Sequence, residues 1–152
     1  MSMNTRVNLP DGLIVRDAVR SDIPSLAALE RECFSEPWSE KGFDEFFESG
    51  SSVCLAAEKD GVVVGYIGAT LSFGDAAVTN IAVTKNFRRI GVGTALIEAM
   101  RSRGDVSRLL LEVRESNTAA RSFYERNGFR IDGKRKNFYS LPREDAVLMS
   151  LV

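Results

Sequence analysis

The strongest constraint on the fold of this chain is the stretch of residues 80–93, NIAVTKNFRRIGVG, which runs into the segment TALIEAMRSR. An apolar, strand-like run ends in polar residues and two arginines, and a Gly-x-Gly turn then opens a helix-like segment. Such a turn directs the free N–H groups of the helix N-terminus at the loop, where the helix dipole also favours negative charge. The stretch predicts a cradle for a phosphate-bearing ligand, although a tight strand-to-helix connection with two solvated arginines fits equally well.

Two common phosphate-binding motifs are excluded by the residues around this turn. No Gly-Lys-Ser/Thr follows the glycines, as a Walker loop requires. The third glycine of the dinucleotide fingerprint is missing from GVGTAL. A nucleotide- or NAD-binding protein is therefore the least favoured class.

The composition is that of an ordinary globular domain. The chain has 152 residues, 44% hydrophobic and 27% charged, and this length predicts one domain over residues 1–152. A net charge of −1 gives no general attraction to nucleic acid or membranes, so neither DNA nor a membrane is an expected partner. Residues 1–12 are expected to be a flexible N-terminus and lack an apolar signal core. Cys33 and Cys54 fit a reduced compartment, so we expect a cytoplasmic protein.

The chain contains no histidine. Ser-His-Asp and Cys-His catalysis are therefore excluded in their usual forms. Most catalytic zinc sites are excluded as well, because two cysteines cannot complete the usual ligand set, and no metal is expected. Acid–base chemistry must then come from Asp, Glu, Lys, Tyr, Cys or a chain of waters.

Hydrophobic patterning and turn residues predict a mixed α/β domain rather than a regular alternation of strands and helices. Ser21 or Asp22 caps a first helix. A second helix begins near Ser39, around which Trp38 and Phe43 have the spacing of a hydrophobic staple. The elements are expected as helices at residues 22–33, from 39, 93–103 and 117–127, and strands at residues 13–16, 53–58, 62–71, 76–83, 109–113, 128–131 and 146–152, with the basic stretch 134–136 between the last two strands.

Three residues of LLLEVRESNTAARSFY, residues 109–124, are candidates for chemistry. Glu112 interrupts an apolar strand. Helices on both faces would bury its carboxylate partly and make it a useful base, whereas on a solvent face it would be an ordinary surface residue. Asn117 also fits a simple helix N-cap. Tyr124 falls on the apolar face of its helix, where tyrosines are commonly core residues with the hydroxyl at the edge.

Together these stretches carry a resemblance to a known family. RRIGVG after NIAV, followed by LEVRESNTAARSFYERNGF, resembles the GNAT superfamily of acetyl-CoA-dependent N-acetyltransferases over roughly residues 13–152. The resemblance implies an α/β fold whose central, mostly antiparallel sheet of six to seven strands is flanked by about four helices. Within the superfamily, FSEPWS at residues 34–39 and NFYSLPREDAVLM at residues 137–149 resemble the bacterial RimI type, which acetylates the N-terminal alanine of ribosomal protein S18.

The resemblance also assigns roles to individual residues. Glu112 would be the general base and Tyr124 the general acid, and acetyl-CoA would be the co-substrate. The family often has Gln where this chain has Arg88, which adds positive charge and should not harm phosphate binding. The implied cofactor contacts are Ile81, Ala82, Val83, Arg88, Arg89, Ile90, Gly91, Val92, Gly93, Thr94 and Asn117. The implied acceptor contacts are Phe34, Glu36, Trp38 and Tyr139.

Direct transfer makes physical sense without histidine. An α-ammonium has a pKa of about 8, so roughly a tenth is neutral at pH 7 and a modest base completes deprotonation. The neutral amine attacks the thioester, a backbone N–H near Val83 meets the oxyanion, and Tyr124 protonates the departing thiolate. No acetylated enzyme is required, so Cys33 and Cys54 are expected to be structural.

Charged stretches suggest partners but have simpler explanations. Seven acidic residues at positions 30–48 could attract a basic peptide N-terminus, or they could form a solvated helix face. A basic stretch could face ribosomal RNA, although an exposed charged hairpin is favoured. The acidic residues are Glu30, Glu32, Glu36, Glu40, Asp44, Glu45 and Glu48, and the basic ones are Arg130, Lys134, Arg135, Lys136 and Arg143.

The main hypothesis is therefore an acetyltransferase for the N-terminus of ribosomal protein S18 or of another basic protein, acting as a monomer. A GNAT enzyme for a small amine or a lysine side chain is the alternative within enzymes. A non-catalytic acyl-CoA-binding module is the alternative outside them, and the presence of both Glu112 and Tyr124 disfavours it.

Overall fold

Seven strands and four helices make up the computed structural model, which describes residues 9–152. The predicted flexible segment 1–12 lies mostly outside that range. The strands are β1 (Leu13–Asp17), β2 (Ser52–Lys59), β3 (Val62–Ser72), β4 (Asp75–Val83), β5 (Arg108–Arg114), β6 (Arg130–Ser140) and β7 (Arg143–Leu151). The helices are α1 (Ile23–Cys33), α2 (Glu40–Glu48), α3 (Val92–Arg101) and α4 (Thr118–Arg126), and 3-10 turns lie at Arg20–Asp22 and Lys85–Phe87.

The strands form one sheet in the order β1-β2-β3-β4-β5-β7-β6. Every neighbouring pair is antiparallel except β4 and β5, which are parallel. This confirms the predicted α/β class and the mostly antiparallel sheet. No helix within residues 9–152 has both the length and the apolar character needed to cross a membrane.

Hydrophobic residues fill both faces of the sheet. The first core cluster lies between the sheet and α3, whose Leu96 and Met100 are fully buried, and α4 adds partly buried residues to it. The second core cluster lies between the sheet and helices α1 and α2, which contribute Leu26 and Phe43. Burial on both faces is what stabilises the central strands.

Local signals position α2 and the end of α4 as expected, whereas the Asp22 side chain makes no capping hydrogen bond to α1 and bonds to Arg16 instead. The Ser39 hydroxyl accepts a hydrogen bond from the Gly42 N–H at 3.1 Å and caps α2. Trp38 and Phe43 pack around that cap with ring centroids 5.3 Å apart, which confirms the staple. Gly128 ends α4 with φ of +95°, a conformation that favours glycine.

The end of the chain differs from the prediction. The basic residues 134–136, expected between two strands, lie inside the eleven-residue strand β6. Sequence periodicity found only the start of this strand, at residues 128–131, because it is a largely exposed edge strand with no buried side chain to mark an alternation. Its pairing with β7 places the basic residues on the outer edge of the sheet.

The feature that creates the site is the divergence of β4 from β5. The two strands pair only at their first three positions, from Asp75 opposite Arg108 to Ala77 opposite Leu110. β5 then continues alongside β7. The edge of β4 beyond residue 77 therefore has no strand partner on the β5 side, and its backbone groups face an opening in the sheet.

Candidate active site

An open cleft of about 1100 Å³ lies at this divergence. Its walls come from the second half of β4, the turn into α3, the end of β5, helix α4 and the β6 residue Tyr139. Twelve of the residues predicted for the site line it: Phe34, Ile81, Val83, Arg88, Arg89, Gly91, Gly93, Thr94, Glu112, Asn117, Tyr124 and Tyr139. Motifs from five separate parts of the sequence therefore meet in one place.

The N-terminus of α3 forms one end of the cleft. Gly91 is its N-cap with φ of +96°, and no side chain caps the helix. The first helical hydrogen bond runs from the Ala95 N–H to the Gly91 carbonyl at 2.9 Å, so the three N–H groups before it have no acceptor within the helix. Arg89 also has a positive φ, of 64°. This geometry suits an anion because the free donors and the helix dipole act together.

Gly93 lies at the N-terminus of α3 and permits α3 and α4 to approach each other closely. A Cβ built on Gly93 would lie 2.9 Å from the Phe123 ring of α4, closer than real Cβ atoms come to other heavy atoms. A larger residue would therefore push α4 away from the α3 N-terminus. The second glycine of the motif is explained by packing, whereas the first is explained by its backbone conformation.

The edge of β4 supplies backbone groups to the cleft. The Thr84 N–H bonds to the Val64 carbonyl of β3, so by alternation the N–H and carbonyl of Val83 face the opposite side. The Val83 carbonyl accepts a hydrogen bond from Arg88 Nε at 2.8 Å, and Arg88 also reaches Cys33 Sγ at 3.3 Å. The Arg88 side chain therefore braces the end of β4 instead of pointing at the helix N-terminus.

Glu112 faces the cleft from β5, on the opposite side of the strand from the buried Leu111 and Val113. It does not lie between two layers of helix, and its side chain keeps 33% of its surface accessible, which favours the alternative of a solvent-facing residue. Its Oε2 lies 3.3 Å from Nη1 of Arg135, an exposed residue of β6. The carboxylate is therefore open to solvent and to a substrate that enters the cleft.

Tyr124 faces the same cleft from α4. Its ring packs on Phe129 and Phe123, with centroids 5.3 and 5.4 Å away. Burial, with a smaller contribution from Tyr139, raises the pKa of Tyr124 to about 12. The hydroxyl therefore keeps its proton at neutral pH and can donate it. Asn117 accepts the Ala120 N–H at 3.2 Å, so the N-cap interpretation of that residue is confirmed.

Tyr139 is held over the mouth of the cleft by Arg114 of β5. The Arg114 guanidinium lies 4.3 Å from the Tyr139 ring centroid. It also donates to the Leu141 carbonyl at 3.1 Å, to the Pro142 carbonyl at 3.0 Å and to Glu144 at 3.2 Å. These contacts of Arg114, a partly buried residue of β5, hold the turn between β6 and β7 in place.

The predicted acceptor residues do not all reach the cleft. Phe34 lines it, but the ring of Trp38 packs on Phe43 and Phe46 in the second core cluster. Glu36 is exposed and does not line the cleft. Trp38 is therefore a core residue, because the staple that starts α2 turns its ring inward.

Three predicted cofactor residues also fall outside the lining. The side chains of Ala82 and Val92 are buried in the core, and Ile90 is exposed. Val92 still offers its free backbone N–H as the first residue of α3, whereas the backbone groups of Ala82 face β3.

The acidic run does not form a continuous negative surface. Glu30 is buried, and Glu32 accepts hydrogen bonds from Thr84 and Lys85. Asp44 and Glu48 pair with Arg20. The three acidic residues of the run without an ion pair or acceptor role among residues 9–152 are Glu36, Glu40 and Glu45.

Sequence reasoning missed several residues of the cleft. They are Thr79, Asn80, Val113, Arg114, Ala119, Ala120, Phe123, Arg126 and Asn127. Asn127 could have been found from helical spacing, since it follows Tyr124 by three residues and caps α4 beside Gly128. Asn80 could not, because its orientation depends on an irregularity of β4.

Comparison with known proteins identifies the class. The model of the acetyltransferase (GNAT) family matches residues 23–129. The chain therefore belongs to this family and is an acyltransferase, which confirms the resemblance found in the sequence.

Two relatives and one solved structure that resemble this chain are named for the acetylation of one ribosomal protein. The chain is 35% identical over 139 residues to a putative [ribosomal protein bS18]-alanine N-acetyltransferase of Bacillus subtilis, covering 89% of this chain and 92% of that protein. It is 34% identical over 137 residues to the [ribosomal protein bS18]-alanine N-acetyltransferase of Escherichia coli, covering 86% and 91%. The crystal structure of the ribosomal-protein-S18-alanine N-acetyltransferase from Escherichia coli matches with a TM-score of 0.81 at 32% identity, over 91% of this chain and 92% of that one.

Proposed function

We propose that this chain transfers the acetyl group of acetyl-CoA to the α-amine of the N-terminal alanine of ribosomal protein bS18. The observation that carries the proposal is a single cleft that holds a helix N-terminus, the unpaired edge of β4, Glu112 and Tyr124. Relatives named for this activity cover about nine tenths of the chain. An acceptor on the ribosome also implies a location in the cytoplasm.

The cofactor would bind along the edge of β4 and the start of α3. Its pyrophosphate would accept hydrogen bonds from the free N–H groups of residues 92–94, and Arg89 and Arg126 add positive charge to that end of the cleft. The outward-facing backbone of Ile81 would pair with the pantetheine amides as a neighbouring strand does, which leaves the Val83 N–H for the acetyl group. Acetyl-CoA then presents an activated thioester at the end of β4.

The protein groups perform the transfer from opposite walls. Glu112 would take a proton from the α-ammonium, directly or through water, and the neutral amine attacks the thioester carbonyl. The Val83 N–H would stabilise the oxyanion that forms. Tyr124 would give its proton to the CoA sulfur as the carbon–sulfur bond breaks, and the second proton that the nitrogen loses on becoming an amide would return to Tyr124 through solvent. Most of the acceleration comes from holding the amine and the thioester together, so no acetylated enzyme forms.

The acceptor would enter between Phe34 and Tyr139, which line the cleft on the side away from α3. Tyr139 is fixed by Arg114, so its ring offers a rigid wall for the first residues of an extended peptide. A small first side chain such as that of alanine fits a site bounded by two aromatic rings.

The proposal is tested by CoA release with peptides that differ in their first two residues, beside free lysine and polyamines. Peptides that begin with alanine, including Ala-Arg, should be acetylated fastest. Activity confined to the small amines would contradict the proposed acceptor and support the alternative GNAT activity. No CoA release with any amine, despite acetyl-CoA binding, would support a non-catalytic acyl-CoA module.

The base is tested by the pair Glu112→Gln and Glu115→Gln. Both change a carboxylate to an amide within three residues, but Glu115 pairs with Lys134 on the surface and does not line the cleft. We expect Glu112→Gln to lower kcat by about 100-fold, as loss of a general base does, with acetyl-CoA affinity nearly unchanged. Glu115→Gln should leave kcat within about twofold of the original, because surface pairs contribute little. Equal kcat values for the two variants would remove Glu112 from the role of base.

A further inference from the structure

The least expected buried group in the molecule is the carboxylate of Glu30 in α1, which is 1% exposed. It has no ion pair among residues 9–152, and three hydrogen bonds satisfy it instead. Oε1 accepts the Trp38 N–H at 2.9 Å, and Oε2 accepts the Tyr66 hydroxyl at 2.5 Å and Asn80 Nδ2 at 3.0 Å. A buried carboxylate with so complete a set of donors is held in one position.

These three donors come from three different elements. Trp38 belongs to the loop between α1 and α2, Tyr66 to β3 and Asn80 to β4. Glu30 therefore ties the loop that carries Phe34 to the strand along which the cofactor is proposed to bind. Burial and the hydrogen bond to Glu30 also raise the pKa of Tyr66. Its hydroxyl therefore stays protonated and donates this hydrogen bond across the physiological pH range.

A bulge in β4 turns Asn80 toward Glu30. Ala69 of β3 pairs with Val78, but the preceding Gly68 pairs with Asn80, so Thr79 is an extra residue. Ala76 and Val78 point toward the first core cluster, and regular alternation would send Asn80 there as well. The bulge reverses the alternation, so that Asn80 points to the side of α1.

Asn80 also lines the cleft, and its two amide atoms have different environments. Nδ2 donates to Glu30, which fixes the orientation of the amide because a carboxylate only accepts. Oδ1 accepts no hydrogen bond from any donor within residues 9–152, and the residue is half-buried at the cleft wall. The held amide therefore leaves an acceptor atom available to a ligand.

We propose that Asn80 Oδ1 binds the amine of the acceptor and that Glu30 is the positioning residue that holds Asn80 in that orientation. An ammonium or amine has N–H donors to spare and needs acceptors beside the thioester, which an amide oxygen supplies without taking the proton. The inference rests on the proposed acetyl transfer to an amine. It does not depend on which amine is the natural acceptor.

The hydrogen-bond pattern allows a test by exchange of donors and acceptors. Glu30→Gln leaves one carbonyl oxygen where the carboxylate had two, so its NH₂ group faces either the Trp38 N–H or the Tyr66 hydroxyl and Asn80 Nδ2, and one set of donors loses its acceptor. Asn80→Asp alone places two carboxylates together. In the double variant Glu30→Gln with Asn80→Asp, the glutamine NH₂ donates to the aspartate, and the other aspartate oxygen still faces the cleft. The pair should therefore restore what each single change removes.

The assay measures kcat and KM separately, with the amine that the original chain acetylates fastest. Asn80→Ala and Glu30→Gln should each raise the acceptor KM about tenfold, with the acetyl-CoA KM unchanged, because one hydrogen bond to a charged group is lost. The double variant should return to within about threefold of the original KM. Asp22→Asn is the matched control, since it changes another buried carboxylate of the same region that does not line the cleft.

Three results would overturn the inference. One is an unchanged acceptor KM in Asn80→Ala, a variant at a half-buried site that tests the contact even where Glu30→Gln fails to fold. Another is a lowered melting temperature in Glu30→Gln without a change in acceptor KM, which would make Glu30 purely structural. The third is a double variant no better than the single ones. No acetylation of any amine by the original chain would contradict the proposed function, and the inference with it.

Discussion

The two sides of the cleft are built in different ways. The proposed cofactor side offers mainly backbone groups from the β4 edge and the α3 N-terminus, which follow each other in the sequence, and α4 packs beside them. The acceptor side, made of the loop at residues 34–39 and the turn between β6 and β7, depends on side chains that reach over long distances in sequence. Glu30 reaches Asn80, and Arg114 reaches Pro142.

This difference has a functional consequence. Backbone N–H groups are present whatever the side chains are, so the cofactor side can stay the same while the acceptor side changes. We therefore expect substitutions to separate into those that affect acetyl-CoA and those that affect the acceptor. Variants on each side of the cleft test this separation.

The largest effect is expected for Tyr124→Phe, which removes the proposed acid between the two sides. We expect kcat to fall by about 100-fold, because general acid catalysis contributes about that much, with both substrates still bound. Single-turnover acetyl transfer measures this step directly.

The pH dependence of kcat also tests the acid role of Tyr124. With a raised pKa of about 12, the Tyr124 hydroxyl is fully protonated below pH 10 and is lost as an acid only as pH rises through 12. The kcat of the original chain should therefore stay level from pH 9 to 10. A decline in that window that disappears in Tyr124→Phe would contradict the raised pKa while supporting Tyr124 as the acid.

The next effect is expected on the cofactor side for Gly93→Val. Because a Cβ here lies 2.9 Å from the Phe123 ring, α4 must move, and the acetyl-CoA Kd should rise about 30-fold at a strain of about 2 kcal/mol. Gly104→Ala is the control, since a Cβ there meets nothing within 4 Å. Isothermal titration calorimetry with acetyl-CoA measures the Kd of both variants. A normal Kd in Gly93→Val would show that the two helices need not approach so closely.

A smaller effect is expected on the acceptor side for Arg114→Ala. Loss of the contacts to Tyr139 and to the β6–β7 turn should raise the acceptor KM about tenfold, as loss of charged hydrogen bonds does, without changing the acetyl-CoA Kd. Arg108→Ala removes an arginine at the other end of β5, where it pairs with Asp75, and should change neither value. A rise in the acetyl-CoA Kd in Arg114→Ala would mean that the two sides are coupled.

The smallest effect on catalysis is expected for Asp22→Asn, at the start of the helix that carries Glu30. Hydrogen bonds from Arg16 hold the pKa of Asp22 below its usual value. This interaction stabilises the fold above about pH 4 and is lost as pH falls through the lowered pKa. The variant should unfold more easily by about 2 kcal/mol at neutral pH and show a flatter acid limb, with kcat unchanged. Urea unfolding from pH 3 to 7 measures both, and a steep acid limb in the variant would contradict the role of Asp22.

The sequence alone predicted the cofactor side better than the acceptor side. Gly91 and Asn117 follow local rules, because a helix start or a cap depends on the few residues around it, whereas Gly93 is explained by its contact with Phe123 of α4. The order of the elements was also predictable from hydrophobic periodicity and turn residues.

The acceptor side was harder to predict because long-range packing decides it. Trp38 was expected to contact a ligand, but α2 draws its ring into the core. The bulge at Thr79 reverses the direction of Asn80, and no local pattern marks it. The polar strand β6 carries no alternation to reveal its full length, so the basic residues 134–136 were expected between two strands.

The central claim is that one cleft brings an α-amine to acetyl-CoA. The most direct test uses one peptide with N-terminal alanine and an internal lysine, incubated with the chain and acetyl-CoA, followed by mass-spectrometric mapping of the acetyl group. The account predicts acetylation at the α-amine and none at the lysine. Acetylation of the lysine side chain alone would contradict it.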